Sequence, residues 1–297
     1  MSDRSAPVAL VVGASGAIGR FLLPRLFDRG YEVIALSRLP RASADRRLRW
    51  IVGDLHSSLP QLPAFDVLVS LGPLDAFARW LAQAYIAGAP RIVAVGSMSI
   101  NTKRDSADAD ERALAARLQQ AEQQLIAAAD ARGSRWTLFR PTLIYGAGVD
   151  RSLTPIALFA LRWRVFPLLG GAHGLRQPVH AEDLASACMS ALDREQTAGR
   201  IYALGGGEQL TFAAMLARVR ASLPLRSLPL PIPLGAVRVL LRVGRQLGMR
   251  SRHAGAIERL DRDLVVDDTA ARDDFDWAPS SFHPDARAWV NAAAPSD

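Results

Sequence analysis

The 297-residue sequence contains a single cysteine, Cys188, so it can form no internal disulfide. Its five histidines lie far apart without the spacing of metal ligands, and we expect no metal site. No apolar run reaches the roughly 18 residues that cross a bilayer, and the run at 8–12 is too short for the apolar core of a signal peptide. These absences together predict a cytoplasmic protein with no integral membrane segment.

Acidic residues are missing between Glu208 and Glu258, in a chain whose net charge is +7. The same stretch carries eight arginines, which are Arg218, Arg220, Arg226, Arg238, Arg242, Arg245, Arg250 and Arg252. We interpret residues 211–256 either as a solvated basic face or as a contact for an anionic substrate, a membrane surface or an acidic protein. Because no known nucleic-acid motif and no interleaved aromatic residues accompany the arginines, we expect no nucleic-acid binding.

Short apolar runs alternate with helical patterns through the first half of the chain. The runs are PVALVV, YEVIAL, RLRWIV, FDVLVSL, RIVAVG and WTLFRP. Such alternation is typical of an α/β fold, and it predicts a doubly wound, parallel Rossmann-type sheet at 1–149. The alternation stops near Val149, so we predict that 150–297 forms a small C-terminal substrate lobe interleaved with the end of the sheet.

Three glycines at three-residue spacing follow the first apolar run, in VVGASGAIGRFLL. Gly13 permits a tight turn, Gly16 lets the backbone approach a pyrophosphate, and Gly19 allows the following helix to pack closely. The N-terminus of that helix then presents its amides to the phosphates. This strand-to-helix turn predicts a dinucleotide site formed by Gly13, Ser15, Gly16, Ala17, Ile18 and Gly19.

The end of the second apolar run indicates which dinucleotide binds. An acidic residue there would bind the ribose 2′-hydroxyl of NAD, but the sequence reads IALSRLPR, with Ser37 and Arg38 in the place of the acid. These two side chains favour a 2′-phosphate, so we predict that the cofactor is NADP(H). A surface arginine without a ligand is the alternative.

Six segments distributed over almost the whole chain match those of a known family. They are GASGAIG, VGDL, VSLGP, FRPTLIYG, QPVHAEDLA and ARDDFDWAP. The sequence resembles the extended short-chain dehydrogenase/reductase superfamily, which includes NAD(P)-dependent sugar-nucleotide epimerases and dehydratases. The resemblance implies that His180 and Asp183 belong to the substrate lobe, where they either line the cleft or cap a helix. It also implies cofactor contacts at Asp54, Leu55, Ser70, Leu71, Gly72, Ser97 and Pro141.

The chain departs from this superfamily in the catalytic element. Enzymes of the superfamily use a tyrosine as acid and base, and a lysine four residues later lowers the pKa of the tyrosine and binds the ribose. Lys103 is the only lysine here, and Ser99 stands four residues before it. None of the four tyrosines is followed by lysine or arginine at that distance, and the stretch in place of the motif reads RALAARL at 112–118.

Candidate catalytic residues nevertheless remain near the nicotinamide end of the predicted site. Ser97 follows the fifth apolar run, where the superfamily's enzymes hold a serine beside a substrate oxygen, and Ser99 lies two residues further on. Both serines can alternatively be turn formers. Tyr145 is the tyrosine nearest to the nicotinamide segment, with core packing as the alternative. We expect Lys103 to face solvent, although it is close enough in sequence to reach the pocket.

Two functions stay open at this point. The chain is either an NADP(H)-binding oxidoreductase or epimerase-like enzyme acting on a small molecule, or a non-catalytic NADP(H)-binding sensor or assembly protein. In the second case the basic stretch at 211–256 would contact a protein partner or a membrane. We favour the enzyme because a substrate lobe has little reason to form without a ligand. A homodimer is compatible with either function.

Overall fold

The computed structural model describes residues 6–57, 59–150, 152–233, 235–237 and 259–289. The strands in these ranges are β1 (Val8–Val12), β2 (Glu32–Ser37), β3 (Leu48–Val52), β4 (Val67–Ser70), β5 (Arg91–Val95), β6 (Trp136–Pro141), β7 (Ile144–Tyr145), β8 (Val165–Gly170), β9 (Leu175–Arg176), β10 (Val179–His180), β11 (Arg200–Leu204), β12 (Leu210–Thr211) and β13 (Leu228–Pro233). The helices are α1 (Ala17–Asp28), α2 (Leu74–Gln83), α3 (Ser99–Thr102), α4 (Ala109–Asp130), α5 (Thr154–Trp163), α6 (Ala181–Asp193), α7 (Phe212–Ala221) and α8 (Thr269–Phe275).

A parallel sheet of seven strands forms the centre of the described structure, in the order β11-β6-β5-β4-β1-β2-β3. Every neighbouring pair in this sheet runs parallel. Helices α1, α6 and α8 pack in the core on one face, while α2 and α4 pack in the core on the other. The predicted doubly wound Rossmann-type sheet is therefore confirmed.

The side chains of β1 alternate between the two cores. Ala9 and Val11 belong to the core with α1 and α6, whereas Leu10 and Val12 belong to the core with α2 and α4. A strand that is buried on both faces has a continuous apolar sequence, which is why this strand could be recognised from its residues alone. Each large aliphatic side chain buried in this way stabilises the fold by about 1.5–3 kcal/mol.

The second half of the chain contributes a smaller core and one strand of the central sheet. Phe166, Met215 and Trp289 are fully buried in the smaller core, among residues of α5, β8 and α7. β11 pairs with β6 at the edge of the central sheet, although it belongs to the second half. The boundary between 149 and 150 itself stays a prediction.

The strand order of the central sheet reverses between β1 and β4. In parallel sheets, ligands bind in the crevice outside the carboxyl ends of the strands at such a reversal. Gly13 directly follows β1, and Leu71 directly follows β4. The strand order therefore predicts a ligand site at the edge of the sheet where Gly13 and Leu71 lie.

Candidate functional site

A cleft of about 870 Å³ opens at the carboxyl edge of the central sheet. Its lining includes Gly13 after β1, Leu71 after β4, Ser97 after β5 and Pro141 at the end of β6. From the sheet it continues to residues of the lobe and of the segment around Arg259. One continuous cleft thus connects the glycine turn with the second half of the chain.

The glycine turn is shaped by close backbone approaches. Gly13 has φ +78°, and a Cβ added to it would lie 2.9 Å from the carbonyl carbon of Leu71. A Cβ at Gly19 would overlap the backbone of Ala14. The amide of Gly16 donates a hydrogen bond to the Gly13 carbonyl at 2.9 Å and closes the turn. A side chain at Gly13 or Gly19 would therefore distort the turn that leads into α1.

The N-terminus of α1 points its amides toward the cleft without a competing side chain. No side chain caps this helix, and its first turn contains no acidic residue. Gly16, Ala17 and Ile18 line the cleft. The first amides of a helix lack partners within the helix, and the helix dipole adds positive potential there. The turn and the helix end therefore fit the pyrophosphate of a dinucleotide.

Beyond the turn, the end of β2 presents a hydroxyl and two arginines. Ser37 Oγ accepts hydrogen bonds from Arg41 Nε at 3.2 Å and from the Leu39 amide at 3.3 Å. The guanidinium of Arg41 lies 5.5 Å above the ring of Trp50, while Arg38 is exposed. Arg41 was missed in the sequence, although its position in SRLPRA places a second arginine within reach of the same serine.

The two segments that the resemblance assigned to the cofactor lie nearby. The Gly53 amide donates to the Ser37 carbonyl at 2.9 Å, which places Asp54 beside the end of β2. Asp54 Oδ1 accepts from the His56 amide at 3.0 Å. Ser70 is buried, and its hydroxyl has no hydrogen-bond partner among the described residues, whereas Leu71 lines the cleft. The cofactor contacts predicted for these residues stay predictions.

Ser97 lies in a turn that is fastened to β6. The Gly96 amide donates to the Phe139 carbonyl at 2.7 Å, and the Met98 amide donates to the Pro141 carbonyl at 3.0 Å. Ser97 Oγ accepts from the Ser99 amide at 3.1 Å. Because that contact uses only the oxygen as acceptor, the hydroxyl proton can still be donated to a ligand in the cleft.

The far end of the cleft is cationic. Lys103, Arg176 and Arg259 line it, and among the described lining residues Asp150 carries the one carboxylate. The oxygens of Asp150 accept hydrogen bonds from the amides of Ser152, Leu153 and Thr154, so this carboxylate holds the start of α5. The charge at the far end therefore favours an anionic group of a ligand.

The cations of the far end are held in place by a glutamate and by carbonyls. Lys103 Nζ lies 3.4 Å from Glu111 Oε1, and Arg259 pairs with the same carboxylate. Burial and the nearby Arg259 guanidinium lower the pKa of Lys103. Arg176 donates to backbone carbonyls, including that of Arg259 at 3.0 Å, and stacks on Phe212. The expectation that Lys103 faces solvent is thus wrong, because these contacts fold it into the cleft.

Comparison with known proteins agrees with this geometry. A family of NAD(P)H-binding domains matches residues 13–149. UDP-glucose 4-epimerase of Vibrio cholerae is 21% identical over 330 aligned positions, which cover 98% of each chain. The crystal structure of UDP-glucuronic acid 4-epimerase from Bacillus cereus superposes with a TM-score of 0.69 at 12% identity, covering 95% of this chain and 96% of that one. The matched family of NAD(P)H-binding domains and the two epimerases support the predicted resemblance to the extended short-chain dehydrogenase/reductase superfamily. The fold of this chain is the NAD(P)-binding, epimerase/dehydratase-like fold of that superfamily.

A relative of a different kind also matches. Subunit 9 of the NADH dehydrogenase (ubiquinone) 1 alpha subcomplex from Arabidopsis thaliana mitochondria is 28% identical over 234 residues. The match covers 71% of this chain and 56% of that subunit. The proteins that this chain resembles therefore include both an epimerase and a subunit of a larger assembly.

The resemblance implies that the superfamily's catalytic pair would lie on α4, and here the part of α4 that lines the cleft is apolar. The stretch 112–118 contributes Leu114 to the lining, so no hydroxyl or amine enters the cleft from this helix turn. One turn further, buried Glu122 pairs with Arg140, whose Nε lies 3.0 Å from Oε1. A Cβ on Gly96 would lie 3.4 Å from the same oxygen, so the pair lies directly beneath the Ser97 turn.

Tyr145 and His180 are brought together, but away from Ser97. Ile144 lines the cleft, whereas Tyr145 lines a separate cavity of about 680 Å³ together with His180. The Tyr145 ring is 3% exposed and packs edge-on against His180 and Phe282, and burial raises its pKa. Because the Tyr145 phenol is buried on the side of β7 opposite to the cleft, it is poorly placed to exchange a proton with a ligand in the cleft.

His180 and Asp183 have structural contacts at the start of α6. His180 Nδ1 accepts from the Glu182 amide at 3.3 Å and caps the helix, which assigns the ring proton to Nε2. Asp183 accepts hydrogen bonds from the amide and hydroxyl of Ser280 at 3.0 and 3.2 Å. These residues therefore join α6 to the C-terminal segment, and the structure places neither among the residues that line the cleft.

Proposed function

We propose that the chain is an NADP(H)-dependent oxidoreductase or epimerase-like enzyme that acts on a small anionic molecule. The observation that carries this proposal is the continuity of the cleft from the glycine turn, through Ser97, to Lys103, Arg176 and Arg259. In this arrangement the glycine turn and the start of α1 would hold the pyrophosphate of a cofactor, and the Ser97 turn would line the part of the cleft that receives its nicotinamide. The cationic end then lies where a substrate would meet the protein.

The phosphorylated cofactor is supported by the side chains at the end of β2. Ser37, Arg38 and Arg41 carry two positive charges and a hydroxyl, and no carboxylate stands in the place that would bind a ribose hydroxyl. A charge-assisted hydrogen bond contributes about 1.5–3 kcal/mol. A preference of roughly ten- to a hundredfold for NADP(H) over NAD(H) follows.

In such an enzyme the bound nicotinamide supplies hydride transfer, and the protein supplies binding and orientation. Ser97 donates its hydroxyl proton as a hydrogen bond to a substrate oxygen or to water. Lys103 and Arg259 hold the anionic group, with their positions fixed by Glu111. Leu114 offers no proton to the reacting atoms, so protonation at oxygen comes from water or from the substrate itself. We therefore expect any turnover to depend on the orientation of the substrate in the cleft, without a proton donor from α4.

A second function is favoured by the apolar residue that α4 presents to the cleft, Leu114. A non-catalytic NADP(H)-binding subunit needs the glycine turn and the cofactor end but no proton donor, and Leu114 is compatible with that role. The similarity to a subunit of a mitochondrial NADH dehydrogenase (ubiquinone) supports the same alternative. In this case the cationic end would serve ligand sensing or assembly.

The two functions are distinguished by combining calorimetry with turnover assays. NADPH oxidation is measured on ketones, enones and nucleotide sugars with the native chain, Lys103→Ala and Ser97→Ala. Arg104→Ala is the matched control, because this neighbouring side chain is 73% exposed and pairs only with exposed Asp105 among the described contacts. The enzyme is supported if the native chain turns over a substrate, Lys103→Ala lowers this turnover about tenfold or more, and Arg104→Ala leaves it unchanged. Tight NADPH binding without turnover supports the subunit, and absence of NADPH binding refutes both.

A further inference from the structure

Exposed apolar side chains are concentrated on one part of the lobe. Ten large apolar side chains of the described ranges are exposed, and six of them belong to α5 or to residues 225–230. These six are Leu158, Phe159, Trp163, Leu225, Leu228 and Leu230. Trp163 is 59% exposed and Leu228 is 72% exposed, so neither is covered by the fold. Solvent exposure of this many neighbouring apolar side chains indicates an interaction surface.

The two segments are joined by backbone hydrogen bonds. Arg164 follows α5 in the left-handed conformation, with φ 59°, and its carbonyl accepts from the Leu228 amide at 2.7 Å. From there β13 runs parallel to β8, with Leu228 opposite Val165. Trp163 at the end of α5 therefore lies close to the start of β13. We call the six apolar side chains, together with the exposed arginines between them, the lobe surface.

The lobe surface combines apolar side chains with positive charge alone. The sequence contains no acidic residue at 151–181 or at 209–257, and β8 and β13, which belong to these two stretches, lie side by side. Arg162, Arg164 and Arg226 are exposed on it. The guanidinium of Arg162 lies 5.4 Å from the centroid of the Trp163 ring. The surface is therefore complementary to a partner that is both apolar and anionic.

Among the described residues β13 pairs with β8 alone, and its other edge does not suit a partner strand. The Leu228 amide points toward β8, so the alternate positions, occupied by Pro229, Pro231 and Pro233, face away from it. Proline has no amide proton, and this edge therefore offers no donors for strand addition. Leucine, which supplies four of the six apolar residues, is also under-represented among the energetically dominant residues of protein interfaces. Leucine, phenylalanine and tryptophan beside arginine are instead typical of segments that bind at a bilayer surface.

We propose that the lobe surface docks the protein peripherally on an anionic lipid bilayer. Trp163, Phe159 and the leucines enter the interfacial region, and Arg162, Arg164 and Arg226 contact anionic headgroups. None of these residues lines the cleft, so the proposal is independent of the chemistry that occurs there. Among the described residues no helix is long and apolar enough to cross a bilayer, which agrees with attachment at the surface.

Sedimentation with vesicles tests the proposal on the full chain. Vesicles of phosphatidylcholine alone are compared with vesicles that also contain phosphatidylglycerol, at low and high salt. We expect binding to the anionic vesicles to be at least tenfold tighter and to weaken as salt screens the arginines. Arg162→Ala/Arg164→Ala should weaken binding about 25-fold, since each arginine near an anionic surface contributes roughly fivefold. Trp163→Ala should weaken binding at both salt concentrations.

Two variants elsewhere on the surface serve as controls. Tyr85→Ala removes an aromatic side chain that is 97% exposed, and Arg104→Ala removes an exposed charge, and both should bind vesicles like the native chain. Unchanged melting temperatures establish that all variants are folded. Equal binding to the two vesicle types, or no binding, would overturn the proposal. So would a dimer in light scattering that Trp163→Ala dissociates, because the lobe surface would then be a contact between copies.

Discussion

The two ends of the cleft are constructed from different parts of the polypeptide. The cofactor end consists of backbone, namely the turn at Gly13, the close approach at Gly16 and the amides of α1. The far end consists of side chains, with Lys103 and Arg259 placed on either side of Glu111. Backbone geometry at the first end is specified within a few consecutive residues, whereas the second end requires residues that are more than 150 positions apart in the sequence.

This difference explains how the catalytic element can change while the cofactor end is kept. Leu114 enters the cleft from α4, which packs on the opposite side of the sheet from α1 and its glycine turn. The pair formed by Glu122 and Arg140 lies beneath the Ser97 turn and joins α4 to β6. The far end should therefore respond to charge substitutions and the glycine turn to changes in shape.

The largest effect is expected from breaking the buried ion pair. Glu122→Leu leaves the Arg140 guanidinium, only 23% exposed, without its carboxylate, and should lower the free energy of unfolding by about 3 kcal/mol. Glu122→Leu/Arg140→Leu removes both charges and should recover most of the loss. Denaturation in urea measures each value. Glu195→Leu is the control, since its exposed pair with Arg135 should contribute less than about 1 kcal/mol. Equal losses for Glu122→Leu and Glu195→Leu would contradict this account.

A comparable effect on binding is expected at the backbone end. In Gly16→Val the new Cβ lies 3.1 Å from the Gly13 carbonyl oxygen and its methyl groups enter the cleft, so the fold should survive while the pyrophosphate is excluded. We expect NADPH affinity to fall more than about a hundredfold, or 3 kcal/mol. The increase in melting temperature with NADPH measures this change. Gly170→Val is the matched control, because a Cβ there meets nothing within 4 Å. A full NADPH-induced shift in Gly16→Val would place the phosphates elsewhere.

The sequence was sufficient for the features that depend on neighbouring residues. The buried strands were recognisable from continuous apolar runs, and α4 forms at Ala109–Asp130 after the side chain of Asp108 caps its first amides. The positive φ of Gly13 agrees with the tight turn expected from its spacing. The family resemblance was confirmed for the same reason, since its motifs are local.

Features that depend on the tertiary fold could not be predicted from the sequence. Lys103 was expected in solvent because its partner Glu111 lies across a turn and Arg259 lies in a distant segment. In the two-residue strand β7, Ile144 and Tyr145 point to opposite sides, and the sequence contains no signal for which one faces the cleft. Arg41 could have been found from its spacing to Ser37, but only with a conformation for the loop between them.

The cofactor preference should be sensitive to both arginines after β2. Arg38→Ala and Arg41→Ala should each reduce the preference for NADPH over NADH, and the double variant should lose most of the ten- to hundredfold ratio expected from charge-assisted bonds. Calorimetry with each cofactor gives the two dissociation constants. Arg46→Ala, an exposed arginine of the same loop, is the control and should leave the ratio unchanged. Equal affinities of the native chain for both cofactors would contradict the prediction.

The smallest effect concerns the pH dependence of stability at His180, where α6 begins. Burial lowers the pKa of His180, and this outweighs the opposing carboxylates of Asp183, Glu182 and Asp285. The unfolded chain therefore takes up a proton at higher pH than the folded chain. The contribution of neutral His180 to the free energy of unfolding is complete above about pH 6.5 and is lost as the pH falls below that value. His180→Asn keeps an acceptor for the Glu182 amide but cannot titrate. Between pH 7 and pH 5.5, roughly the window in which an unperturbed histidine titrates, the melting temperature of this variant should therefore fall less than that of the native chain. Parallel pH profiles of the two proteins would show that His180 is protonated equally in both states.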